Sequence, residues 1–367
     1  MSIAAIADVK RAVHDTLRRA SMSKIDIQKI NFNERRTAAH VNLTFGRDRL
    51  FAKVLLAPTY LKLSPQFILA SGYDDGHTWQ AAAQIRQEQQ QGHLLREIAN
   101  TTNTVSVPRM VEASERHQAL VWEHVDGVNL DELLKRPYGQ LLPTISPRQL
   151  AALVGSFLRA VHDRHPVAPG SLQLADCTPL IERARKLTPE WSDVLENAVA
   201  RLQQQFAAQG MADGPATLIH GDLSLSNLLW DDRRRVLHVV DFEHSRSDSV
   251  LFDLAAWIYG VRVALFRPLV QRRTVRDWES GFREGYQLAS SAAQTAYAIA
   301  ELVAVIWIFG YFLPQRIRER ETGAHHVERL RRLIYRRILM KPLLRRRLGL
   351  LQQTTEIPPN NVSMRVS

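Results

Sequence analysis

The segment LIHGDLSLSNLLWDDRRRVLHVVDFEHS, residues 218–245, constrains this chain more than any other part of it. An apolar strand runs into a polar loop that carries His220, Asp222 and, five residues after that acid, Asn227. A turn at Asp231-Asp232 and a strand from Val236 to Val240 follow, and a second acid, Asp241, stands at the end of that strand. Each of these residues alone is an ordinary turn former. Together, flanked by apolar runs and separated by one strand, they read as two polar loops held at adjacent strand ends, which is how a site is built.

The residue types suit phosphoryl transfer, where the protein mainly neutralises charge on phosphate oxygens and positions the nucleophile. Magnesium takes hard oxygen ligands and is often held by only one or two protein oxygens. The amide oxygen of Asn227 and the carboxylate of Asp241 meet that need. Asp222 is then left to accept the proton of an attacking hydroxyl, and His220 to anchor the loop.

The rest of the chain predicts an α+β fold in two lobes with a cleft between them. No long period repeats. IDIQKINF, AAHVNLTF and LFAKVLL, from Ile25 to Leu56, alternate in the manner of three antiparallel strands. A helix is expected from Trp79 to Ile98 with Thr78 as its cap, then strands at Val105–Val111 and Ala119–Val125. After Asp126-Gly127 helices dominate: 129–134, 147–165, 189–209, 275–288, 293–312 and 327–339. The division is an N-terminal helix at 1–24, a nucleotide-binding lobe at 25–126, a catalytic and substrate-binding lobe at 127–350 and a disordered tail at 351–367.

A single cysteine, Cys177, excludes an intrachain disulfide and a cysteine metal cluster. The apolar stretch Tyr297–Leu313 contains Glu301, which favours a core helix over a membrane span. With a charged, amphipathic N-terminus, the chain is expected in the cytoplasm. The net charge of +11 is concentrated: Arg316 to Arg347 holds twelve Lys or Arg against Glu319, Glu321 and Glu328. Residues 327–350 interleave apolar and basic positions, a pattern that suits peripheral contact with an anionic membrane or an acidic glycan, or a solvated basic face.

HGDLSLSN followed by VVDFEHS resembles the motifs of the aminoglycoside phosphotransferase and choline kinase family, which has the protein-kinase-like fold. The resemblance runs from Lys53 to Glu284 and implies Mg²⁺ and ATP, with GTP as an alternative. It implies that Lys53, in the third strand, holds the nucleotide phosphates and pairs with a glutamate of the next helix, Glu88 in preference to Glu97. It also implies a hinge at Glu123 to Val125 that meets the base, and a buried Asp253 that supports the catalytic loop. ESGFREGY, residues 279–286, resembles an architectural helix of the family.

The chain departs from the kinase pattern at NFNERRTAAH, where no glycine occurs and Arg35, Arg36 or Thr37 would have to supply donors. Arg262, Arg267, Arg272, Arg273 and Arg276 against Asp277, Glu279, Glu284 and Glu301 make no acidic funnel, which turns the expected acceptor from cationic antibiotics towards a small molecule, sugar or lipid-linked glycan. A non-catalytic pseudokinase-like binding protein and a kinase of cationic substrates are the alternatives. No zinc spacing or RNA-binding signature occurs, so no nucleic acid is expected.

Overall fold

The computed structural model describes residues 3–22, 24–32, 38–55, 59–60, 78–79, 81–135, 145–164, 166–169, 182, 185–186, 192–209, 215–266, 270–288 and 291–308. Arg35, Arg36, Thr37, Arg267, Cys177, most of the 57–77 connection, the basic segment at 316–347, the helix expected at 327–339 and the tail at 351–367 lie outside these residues.

Five antiparallel strands form the N-terminal sheet: β1 (Ile25–Phe32), β2 (Ala38–Phe45), β3 (Asp48–Leu55), β7 (Met110–Ser114) and β8 (Ala119–Glu123), in the order β1-β2-β3-β8-β7. Their period of two gives the sheet two working faces. Ala39, Val41 and Leu43 of β2 and Leu50, Ala52 and Val54 of β3 bury one face against helix α1 (Ile3–Arg19). That helix presents Val9, Val13 and Leu17, four residues apart on one stripe. The alternate residues, His40, Asn42, Phe51 and Lys53, therefore face the cleft.

Two short strands, β4 (Thr59–Tyr60) and β5 (Thr78–Trp79), pair with each other before helix α2 (Ala81–Ala99). Thr78 is thus a strand residue and not the cap expected of it. The strand expected at 105–111 is also divided. Val105–Ser106 forms β6, and the chain resumes at β7 after Pro108, a residue that has no N–H to give to a ladder.

The second lobe is reached through β9 (Val128–Asn129) and holds α3 (Leu130–Lys135), α4 (Pro147–Arg164), β10 (Pro166–Pro169), α5 (Ser192–Gln209) and β11 (Pro215–Ile219). Next come β12 (Leu228–Asp231), β13 (Val236–Val239), β14 (Arg246–Asp248), α6 (Leu251–Val263), α7 (Arg272–Gly285) and α8 (Ser291–Trp307). β12 and β13 form a hairpin in the sheet β6-β13-β12-β9, and β10-β11-β14 form another. The parallel pairing of β6 with β13 means that Val105–Ser106, expected in the first lobe, is hydrogen-bonded into the sheet of the second.

α6 is absent from the helices expected of the sequence, because a helix apolar on all sides has no period to detect. Eleven of its thirteen residues are buried, Asp253 and Arg262 among them. Arg262 bonds Glu279 of α7 at 2.6 Å and Glu301 of α8 at 2.5 Å, so these three charges join helices inside the lobe. None of the three lines the cavity between the lobes. Glu301 has its partner in the core, and no helix among the described residues is long and apolar enough to cross a membrane.

Helix α7 lies unusually close to α4. A Cβ on Gly281 would overlap the carbonyl of Arg148, which makes glycine a requirement of the interface. Alanine for glycine inside a helix ordinarily stabilises by about 0.5–1 kcal/mol. Gly281→Ala is expected to destabilise instead, by about 1–3 kcal/mol of overpacking, seen as a lower urea midpoint at unchanged slope.

Candidate active site

Lys53 sits in β3 on the face that turns to the cleft and is 5% exposed, so its ammonium needs partners where it is. Three carboxylates meet it: Glu88 of α2 at 3.3 Å, Asp241 at 3.2 Å and Glu243 at 2.6 Å. An ammonium has three N–H donors, and each is taken. Glu97, the alternative partner, is exposed and bonded to His93 at 3.2 Å. Glu243 lies within the VVDFEHS motif but was given no part by the sequence, since nothing in a loop's pattern says where its third residue turns.

One cation among three carboxylates leaves a surplus of negative charge. Burial alone would lower Lys53, but Asp241, Glu88 and Glu243 hold its pKa well above the usual lysine value. Burial raises Glu88 from 4.5 to about 7 against the attraction of Lys53, with Asp241 and Glu243 adding to the rise. Glu243 feels burial too, yet Lys53 and His244 keep it well below the carboxylate range.

β11 delivers the chain into the 220–227 loop. The backbone N–H groups of His220 and Gly221 donate to the two oxygens of Asp253 at 2.8 and 2.9 Å. Gly221 has φ +79°, and a Cβ there would strike the carbonyl of His244. The His220 ring contacts the carbonyl of Val240 at 3.1 Å, and Ser245 Oγ donates to the carbonyl of His220 at 3.0 Å. Burial would raise the pKa of Asp253, but His162 and the donors of His220 hold it below the ordinary value, so it remains an acceptor for all of them.

Asn227 gives its amide N–H groups to Asp222, at 2.9 Å to the carbonyl and 3.3 Å to Oδ2. Those partners accept only, which fixes the amide orientation and leaves Asn227 Oδ1 as the atom available to a cation. The Val240 N–H donates to the Asn227 carbonyl at 3.0 Å, joining the two loops. Asp241 adopts φ +68°, a left-handed conformation that aspartate tolerates better than most residues, and its carboxylate is 40% exposed. One amide oxygen and one accessible carboxylate fit magnesium, which keeps water in its other positions. Among the described residues no group of three His, Cys, Asp or Glu is arranged around a metal position.

Lys53, Glu88, Glu123, Val125, Asn227 and Asp241 line one cavity of about 340 Å³ between the lobes, walled by Phe51, Trp122, Leu229 and Phe242. The N–H groups of Glu123 and His124 donate to the carbonyls of Arg109 and Arg49, while the Val125 amide makes no such bond among the described residues. His220 and Asp253 lie behind the cavity. Asp222 adjoins it through Asn227, and its pKa is raised by burial, with His244 and His220 opposing and Asp241 and Glu243 adding.

This geometry coincides with a family assignment. The family model described as "Phosphotransferase enzyme family" matches residues 59–297, well over half of the chain. The chain belongs to the phosphotransferase enzyme family. Among solved structures, a microcompartment-associated aminopropanol kinase matches 96% of this phosphotransferase and 97% of its own chain at 14% identity and TM-score 0.55, which shows a common fold. An amicoumacin kinase solved with AMP-PNP and Ca²⁺ covers 98% of both chains at 15% identity and TM-score 0.48. A choline kinase from Streptococcus pneumoniae covers 94% of this chain and 99% of its own at 12% identity and TM-score 0.43. A search of curated proteins finds no match.

The buried cluster gives this phosphotransferase a testable pH dependence. Glu88 holds its proton in the folded state up to about 7, whereas the unfolded chain releases it near 4.5. Between those values the folded state binds more protons, so this group lowers stability as pH rises. Glu88→Gln, facing Lys53 with Asp241 and Glu243 nearby, is expected to remove that fall. Denaturant unfolding of the metal-free protein at pH 5 and pH 7.5 measures it; an equal fall in both proteins would contradict the assignment.

Proposed function

We propose that this phosphotransferase transfers the γ-phosphoryl group of ATP, or alternatively GTP, to a hydroxyl of a small molecule, with Asp222 as the general base. The convergence of an ammonium, an amide oxygen and a carboxylate on one cavity, from Lys53, Asn227 and Asp241, carries the reading. Lys53 is the buried cation for the nucleotide phosphates, and its pairing with Glu88 holds it towards the cleft. The backbone at Glu123 and Val125 faces the base, the Val125 amide as donor.

Asn227 Oδ1 and Asp241 would hold magnesium, which when bound neutralises charge on the phosphate oxygens. Asp222 accepts the proton of the acceptor hydroxyl. The Asn227 amide orients its carboxylate at 3.3 Å, and burial makes it more basic than an ordinary aspartate. On the charge of the 316–347 segment, the acceptor is better sought among sugars and lipid-linked glycans than among polycations. A panel of envelope glycans, aminocyclitols and amino alcohols with labelled nucleotide identifies it.

Asp222→Asn is expected to lower turnover by about 10³-fold, the range of a lost general base. Its thermal shift with magnesium-nucleotide should remain that of the wild type. Asp241→Ala should lose the magnesium-dependent part of that shift while keeping its Tm without ligand within a few degrees. Full activity in Asp222→Asn, or no shift in the wild type, would overturn the reading.

A further inference from the structure

Behind the 220–227 loop, side chains from three helices form a single directed chain of hydrogen bonds. His162 of α4 meets Asp253 of α6 through Nε2 at 3.3 Å and Tyr286, the residue that ends α7, through Nδ1 at 2.8 Å. Asp253 in turn accepts the N–H groups of His220 and Gly221. His162, Asp253 and Tyr286 are all buried.

The direction of these bonds follows from chemistry. An ionised Asp253 can only accept, so His162 Nε2 carries the hydrogen facing it. With its hydrogen on Nε2, the ring turns Nδ1 to the Tyr286 hydroxyl, which as donor and acceptor can pair with it. Tyr286 has little freedom to do otherwise. Its ring stacks on Phe282 at 5.8 Å and meets the His162 ring edge-on at 5.6 Å, while the Arg159 guanidinium lies 5.8 Å from its centroid. The close approach of α7 to α4 fixes where that ring sits.

We propose that Tyr286 and His162 are positioning residues for the proposed base Asp222: Tyr286 holds the imidazole ring through Nδ1, and His162 orients the Asp253 carboxylate that holds the 220–221 backbone. This rests on the reading of Asp222 as base. The Asp253 contact alone would leave the His162 ring held at one nitrogen and free to swing about it. The tyrosine hydroxyl removes that freedom, since its contact with Nδ1 at 2.8 Å fixes the ring at its second nitrogen. α7, a helix that contributes nothing to the cavity lining, thereby governs the loop.

The test uses the full chain, with water as acceptor and magnesium-ATP as nucleotide, and measures kcat, KM for ATP, Tm and amide exchange of the 217–224 peptide. Tyr286→Phe is expected to lower kcat about five- to tenfold, the kinetic equivalent of one neutral hydrogen bond, with KM within about twofold. His162→Gln keeps a donor for Asp253 but offers Tyr286 nothing equivalent to Nδ1. It should retain more activity than His162→Ala, and adding Tyr286→Phe to it should change kcat no further.

Exchange at 217–224 should rise in Tyr286→Phe and not rise again in the double variant. Equal effects of Tyr286→Phe in both backgrounds, or unchanged exchange and kcat, would overturn the proposal. If the wild type neither hydrolyses nor binds ATP, the proposed function fails, while the exchange cycle still decides whether Tyr286 and His162 act on the loop together.

Discussion

A carboxylate without access to water organises the centre of this molecule. Asp253, on a helix buried on nearly every side, is tolerable only because backbone N–H groups and an imidazole surround it. Satisfying it obliges the chain at His220 and Gly221 to turn both amides inward. That turn needs the left-handed backbone of Gly221, and the absence of a side chain there lets the carbonyl of His244 come close. From this anchor follow the direction in which Asp222 leaves the loop and the contact of the His220 ring with Val240, which sets the entry to Asp241. The loop is held from behind by a burial penalty that has one good solution.

The front of the site is governed by the opposite imbalance. Lys53 is one cation among three carboxylates drawn from two lobes, Glu88 from the upper one and Asp241 and Glu243 from the lower. The ammonium is therefore an electrostatic joint between the lobes as well as a candidate phosphate ligand. Excess negative charge around this cavity is what a divalent cation would neutralise.

Much of this was legible in the sequence because it rests on local rules. The alternation in DRLFAKVL sends Lys53 to the face opposite Leu50, Ala52 and Val54, whatever that face meets. The spacing from Asp222 to Asn227 and the strand before Asp241 fix two loops at one hairpin's ends. Legibility failed where a residue's neighbours decide its role. Thr78 carries a good cap residue but lies in a short strand opposite Tyr60. Val105 reads as the start of one strand, yet Pro108 divides it between two sheets. Arg262, Glu279 and Glu301 enter the sequence's charge balance around the acceptor, because nothing in composition distinguishes a free ion from a buried triad.

By itself, the sequence determined which polar residues stand at the strand ends around the cleft and which side of it each approaches, since strand period, loop chemistry and motif spacing act over a few residues. Only the tertiary structure decided which charges neutralise one another. Glu243 became the nearest partner of Lys53, and His162 and Tyr286 were added behind Asp253, because burial forces every ionised or polar group to find a partner among whatever the packed helices and strands bring within about 3 Å. That requirement is set by distance in space, and separations such as the 190 residues between Lys53 and Glu243 leave no trace in a local pattern.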